Sequence, residues 1–184
     1  MPDTNSEATI LVVDDEQKVV ESYSLRLGMR YDDVHTATGG REALAFLEVS
    51  DPDVIFLDRR MPDMSGDEVA EMIREEGYDT QVIMATAVDP DFDIVEMPFD
   101  DYLQKPIGKE EMFGAVEQQL NAGAYEGKRA EYFSVRSKIA VIEEEKSSYQ
   151  LEDNTKYQEL LGRARELEAD LDGTVAEFDD ISDR

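Results

Sequence analysis

The chain contains no cysteine. That absence excludes disulfides, thiol catalysis and thiolate metal sites. Basic residues are scarce, with 18 Lys and Arg against 45 Asp and Glu for a net charge of −27. Such a surface repels nucleic acid phosphates and anionic lipid, because non-specific binding to either depends on basic patches. No apolar run approaches the ~20 residues that a membrane-spanning helix requires. The opening "MPDTNSEA" lacks the basic and apolar regions of a signal peptide, so a cytoplasmic location is expected. Dense carboxylates keep a protein hydrated in concentrated salt, where their mutual repulsion is screened, so a halophilic source is expected, the plainer alternative being merely an acidic protein. Lysine is outnumbered by arginine, seven to eleven, in keeping with that reading.

What the chain does have is enough apolar residue, 41% of 184, for a globular core. Short apolar runs alternate with helix-period segments over the first 120 residues. Strands are expected over 9–15, 33–38, 53–58, 81–87 and 101–105. Helices are expected over 16–27, 40–49, 66–76, 89–97 and 109–120. This alternation predicts an α/β fold, a doubly wound five-stranded parallel sheet covered on both faces. The first, third and fourth strands are near-continuous hydrophobic runs, as central strands are, whereas the second is mixed and belongs at an edge. The fourth helix is expected to be short, because "DPDFDIVEMPFDD" has few helix formers and Pro98 ends any helix by about Met97.

Beyond residue 120 the pattern changes. "NAGAYEG" (121–127) reads as a hinge or helix break. Apolar residues then fall at Tyr132, Val135, Ile139 and Ile142. After a polar loop, "EKSSYQLEDN", they recur at Tyr157, Leu160, Ala164, Leu167, Leu171 and Phe178. The seven-residue spacing predicts two amphipathic helices forming a helical hairpin or coiled coil. Stripes this narrow must be covered by each other, by the first domain or by a second copy. The expected division is thus 1–120 and 121–184.

The chemistry concentrates at strand ends. "ILVVDDE" (10–16) runs four aliphatic residues into three carboxylates, and two like charges ~4 Å apart repel by roughly 4 kcal/mol near a protein surface. Asp14 and Asp15 follow the first strand, Asp58 ends the third, Thr86 the fourth, and Lys105 the fifth just before Pro106. In a doubly wound sheet these ends converge on one crevice. Clustered carboxylates suit a hard divalent cation, and magnesium is commonly held by one or two carboxylates plus phosphate oxygens. Asp58 is then left to act as a phosphoryl acceptor, with Lys105 and Thr86 neutralising and positioning the phosphoryl group. Taken singly each residue has a plainer reading. A strand-end Asp is often a helix N-cap, Lys105 a surface lysine, Thr86 a helix cap and Tyr102 mere packing. Arg59 and Arg60 read as solvated loop residues, and His35, the sole histidine, as surface.

Together, "VVDDE", "LDRRMPDMSGDE", "MATA" and "YLQKP", in order, resemble the receiver domain of two-component response regulators. The resemblance implies a flavodoxin-like fold and a phosphoryl group accepted on Asp58 from a sensor histidine kinase. It implies Mg²⁺, or Mn²⁺ in its place, on Asp15, Asp58 and the Arg60 backbone carbonyl, with Asp14 acting through water. Lys105 and Thr86 would stabilise the phosphoryl group, and Thr86 and Tyr102 would form the conformational switch. Such a chain signals rather than catalyses turnover. The interval from Thr86 to Lys105 is about one helical turn shorter than the usual receiver spacing, and it covers the surface through which many receivers signal. Residues 122–180 are similar to the HalX segment of haloarchaeal receivers, though on helical pattern more than motif. Residues 121–184 carry 16 acids and 9 bases, too acidic for a DNA-reading face. The expected partners are therefore a kinase and either a second copy or another helical protein. A DNA-binding regulator is the alternative, and an aspartyl-phosphate phosphohydrolase a weaker one. Phosphohydrolases of that kind want an acid two residues after the nucleophile, where this chain has Arg60.

Overall fold

The computed structural model describes residues 7–124 and 127–171. Five strands, β1 (Thr9–Val13), β2 (Asp33–Ala37), β3 (Val54–Leu57), β4 (Gln81–Thr86) and β5 (Asp101–Gln104), form one sheet in the order β2-β1-β3-β4-β5. Every pairing is parallel. The aliphatic runs of β1, β3 and β4 occupy the centre, where both faces are covered. β2 lies at one edge, and only Ala37 of its five residues is buried.

Four helices belong with this sheet: α1 (Gln17–Leu27), α2 (Gly40–Leu47), α3 (Gly66–Glu75) and α4 (Lys109–Gly123). Because strand side chains alternate between faces, Ile10, Val12, Val54, Phe56 and Ile83 share a core with Val20 and Leu27 of α1 and Met112 and Val116 of α4. Leu11, Val13, Ile55 and Leu57 are equally buried on the other face. Each such side chain contributes roughly 1.5–3 kcal/mol through burial. α4 continues to Gly123, three residues past its expected end and into the stretch 121–127, and the next helix begins at Lys128.

The helix expected over 89–97 is instead a 3₁₀ helix, Phe92–Glu96. Pro98 disfavours helical geometry at Met97 and supplies no N–H for another turn. Compactness divides the chain in an instructive way. Residues up to Val88 join Met97–Ala124 in one unit, while Asp89–Glu96 belongs to a second unit with the C-terminal helices.

That second unit contains α5 (Lys128–Glu145), α6 (Ser148–Asp153) and α7 (Thr155–Leu171). The buried faces are Tyr132, Val135, Lys138, Ile139 and Ile142 on α5 and Tyr157, Leu160, Ala164 and Leu167 on α7. Lys128, at the start of α5, pairs with Asp170 near the end of α7. Glu143, near the end of α5, accepts a 2.5 Å hydrogen bond from Tyr157 at the start of α7. The two helices therefore run antiparallel, as a hairpin. The expected polar loop between them contains α6. A capping box accounts for it: Ser147 Oγ accepts from the Gln150 N–H, and Gln150 Oε1 accepts from the Ser147 N–H. Phe178 lies outside the described residues.

Candidate functional site

The strand ends meet because the hydrogen-bonded ladder continues just past them. The Asp58 N–H donates to the Val13 carbonyl at 2.9 Å, the Asp14 N–H to the Ala37 carbonyl at 3.2 Å, and the Lys105 N–H to the Thr86 carbonyl at 2.8 Å. Main-chain register thus fixes where these side chains start. A tight turn carries the chain from Asp58 into α3. Its Met61 is buried, its Asp63 takes a positive φ of 67°, and the Gly66 N–H donates to the Arg59 carbonyl at 2.8 Å. A Cβ on Gly66 would lie 2.1 Å from the Asp58 carbonyl oxygen, so only glycine allows that approach. Ser65 and Glu68 then cap α3 reciprocally.

Asp14, Asp15 and Asp58 each place a carboxylate oxygen within 4.8 Å of the others. Asp14 and Asp58 are buried and Asp15 is exposed. Lys105 reaches into this cluster, donating to Asp14 and standing 3.6 Å from Asp58. The repulsion implicit in "VVDDE" is therefore offset partly from within the chain, by a lysine 91 positions beyond Asp14. Burial pushes the Asp58 carboxyl above its usual range, against the pull of Lys105, and the Asp14 charge raises it further. Burial also opposes charge on Lys105, but the hydrogen bond to Asp14 and the Asp58 charge outweigh it and hold the ammonium above its ordinary value.

Thr86 is buried, and its hydroxyl lies near enough to the Asp58 carboxyl to favour the charged form. The same hydroxyl oxygen accepts from the Val88 N–H at 3.3 Å. Tyr102 is buried against Phe99 and donates its phenol to the Val88 carbonyl at 2.6 Å. Val88, which nothing in its sequence context singles out, is thus held from both sides. Arg60 is exposed in the turn after Asp58. Arg59 is not a solvated loop residue. Its side chain is largely covered and pairs with both oxygens of Asp67 at 3.1 and 3.2 Å. His35 pairs with Asp33 on the edge strand. Sequence reading also missed Arg26, which donates from α1 to the Ile107 carbonyl at 2.9 Å and so steadies the loop that follows Lys105. A separation of 81 residues leaves no local signal for such a contact.

The donor set fits a hard divalent cation, since all three donors are carboxylate oxygens and a mostly buried cluster of like charge gains from neutralisation. It is a plausible home for neither a soft metal nor a structural zinc, which favour sulfur and imidazole.

The model of the response regulator receiver domain matches residues 10–117, and that of the HalX domain matches residues 122–184. A Haloferax volcanii protein named as a transcriptional regulator is 45% identical over 138 residues, covering 75% of this chain. The alkaline phosphatase synthesis transcriptional regulatory protein PhoP of Bacillus subtilis is 39% identical over 114 residues, covering 60% of this chain. The chain spans only 24% and 48% of these two relatives' lengths. Among solved structures, a CheY-like receiver domain protein of Methanospirillum hungatei is 25% identical, with a TM-score of 0.61 over 66% of this chain and 100% of that one. The response regulator TrrA of Thermotoga maritima, solved in complex with Mg²⁺ and beryllofluoride, is 33% identical, with a TM-score of 0.56 over 61% of this chain and 99% of that one. By sequence and by fold, the chain belongs to the response regulator receiver family and carries a HalX domain behind its receiver domain.

Proposed function

We propose that in the cytoplasm residues 1–120 accept a phosphoryl group on Asp58 from a sensor histidine kinase, and that residues 121–184 carry the output. The observation that supports this most strongly is the convergence of Asp14, Asp15, Asp58 and Lys105 at the ends of β1, β3 and β5. In the transfer, a carboxylate oxygen of Asp58 forms a bond to phosphorus while the bond from phosphorus to the donor breaks. The donor leaves with the electron pair, and Asp58 becomes an acyl phosphate.

Asp15, Asp58 and the Arg60 carbonyl would hold Mg²⁺ or Mn²⁺, with Asp14 acting through water. The bound cation would supply charge neutralisation at the phosphoryl oxygens. The chain's own residues do the rest. Lys105, already charged and aimed between Asp14 and Asp58, is placed to pair with a new dianion on Asp58. Thr86 is placed to turn its hydroxyl to the phosphoryl oxygens. That turn would alter its contact with the Val88 N–H, whose carbonyl Tyr102 holds. Thr86 and Tyr102 thus form the switch.

The names of the two relatives favour a second reading, a DNA-binding transcriptional regulator. Against direct contact by the helical segment, Lys128, Lys146, Lys156 and Arg163 are all committed to carboxylates within the helical unit. A phosphohydrolase reading gains nothing from the site, where Arg60 stands in the place of the required acid. We therefore favour output through protein association, with a second copy or a helical partner. Incubation with acetyl phosphate and Mg²⁺ tests the central reading. It should add one phosphoryl group to the native chain and none to Asp58→Asn. Equal labelling of both would refute Asp58 as the acceptor.

A further inference from the structure

The stretch Asp89–Glu96, "DPDFDIVE", is covalently part of the β4–β5 connection but packs as a member of the helical unit. It carries four carboxylates and no cation. Three of the chain's seven lysines meet it. Lys138, on the buried face of α5 and only 8% exposed, donates to the Val95 carbonyl at 3.2 Å. Lys146, just past α5, pairs with Asp91 at 2.9 Å and lies 5.4 Å from the centre of the Phe92 ring. Lys156, in the first turn of α7, pairs with Glu96 at 2.8 Å.

This concentration of positive charge is unusual for so acidic a chain. A lysine at position 138 is also costly, because it stands within the stripe of Val135, Ile139 and Ile142, where burying a charge is unfavourable unless it is compensated. The carbonyl of Val95 gives the ammonium a partner there. The Asp91 carboxyl is held below its usual range by the hydrogen bond from Lys146 and then by the Phe92 N–H, so that contact favours the charged pair. These contacts hold the segment near its start, at Asp91 and Phe92, and at its end, at Val95 and Glu96.

We propose that Asp89–Glu96 is the input arm of the helical unit, gripped by Lys138, Lys146 and Lys156, so that the partner of this stretch is the chain's own α5–α7 hairpin. The arm begins at the residue after Val88, whose peptide groups bond to Thr86 and Tyr102. Any rearrangement of Thr86 on phosphorylation therefore reaches α5 and α7 through a segment they already hold. This inference rests on Asp58 being the phosphoacceptor.

Hydrogen exchange of the full chain, with and without Mg²⁺ and beryllofluoride as the phosphoryl mimic, tests it. In the native protein, exchange should change both around residues 86–88 and in α5 and α7. In the double variant Lys146→Glu/Lys156→Glu, the change around 86–88 should persist and that in α5 and α7 should be lost. Single exposed pairs are weak, so either variant alone should move exchange by no more than about fivefold. The charge swap Lys146→Glu/Asp91→Lys with Lys156→Glu/Glu96→Lys should restore the response. An undiminished response in the double variant, or a swap that restores nothing, overturns the arm. If the native chain responds around 86–88 but not in α5 and α7, the arm fails while the phosphoacceptor reading stands. No response around Asp58 at all would remove both.

Discussion

The Lys105 ammonium donates to Asp14 while standing 3.6 Å from the nearer oxygen of Asp58. Asp58, the residue proposed to react, is thus neutralised less directly than its neighbour. Its carboxyl is pushed up mainly by burial, with Lys105 resisting. In this state the lysine balances the pocket, and it needs only a small shift to meet a new charge on Asp58.

Lys105→Met should leave Asp14 buried without its hydrogen-bonded cation. We expect a loss of about 1–3 kcal/mol in stability, the usual cost of a stranded buried polar group. The midpoint of urea unfolding, measured without divalent cation, checks this. An unchanged midpoint would show that the pair carries no stability.

Divalent cation should stabilise the native chain by binding only the folded form, by about 1.4 kcal/mol at tenfold its dissociation constant. Asp15→Ala should abolish most of that increment in a thermal melt with Mg²⁺. Metal-free Asp58→Asn should melt higher than the native chain at neutral pH. The sign follows from the raised Asp58 carboxyl. A folded-state value above the unfolded one stabilises at low pH, and that stability is lost as pH rises through the folded value. The advantage of Asp58→Asn should therefore grow as pH rises from about 4, and an advantage that shrank would contradict the account.

Tyr102→Phe removes the bond to the Val88 carbonyl, which should cost about 1 kcal/mol. It should leave phosphorylation of Asp58 intact while weakening the exchange response in the helical unit. If labelling itself were lost, Tyr102 would belong to the chemistry and not to the switch.

Tyr157 offers a separate reporter in the helical unit. Burial and then the hydrogen bond to Glu143 push its phenol up to about 12. Stability from this contact should be complete below the ordinary tyrosine range and lost as pH rises through about 12. Burial also raises Tyr23, Tyr31 and Tyr78, so ultraviolet titration should show late ionisation that shrinks by one tyrosine in Tyr157→Phe. An undiminished late step would place it on the other tyrosines.

Much of this architecture is legible in the chain because burial writes itself into hydrophobic patterning. The runs at Ile10–Val13 and Val54–Leu57 are apolar throughout since central parallel strands are covered on both faces, and they deliver Asp14 and Asp58 to one end of the sheet. The stripe from Tyr132 to Leu167 is equally plain. What patterning cannot show is pairing across the chain. Lys105 with Asp14, Arg26 with Ile107 and Arg59 with Asp67 are fixed by packing and turn geometry, with no periodic signal. Lys138 is the instructive case. It falls within the apolar stripe yet is polar, and its reason, the Val95 carbonyl, lies 43 residues earlier in a segment whose allegiance only the folded chain reveals. The "EKSSYQLEDN" stretch misled by its polarity, since the Ser147–Gln150 capping box outweighs it locally.

The most direct test of the central claim is to locate the phosphoryl group itself. After reaction of the full chain with acetyl phosphate and Mg²⁺, borohydride reduction converts an aspartyl phosphate to homoserine, which mass spectrometry of the peptides can place. The account predicts homoserine at position 58 and nowhere else. Homoserine at Asp14 or Asp15, or none at all in a chain that binds Mg²⁺, would contradict it.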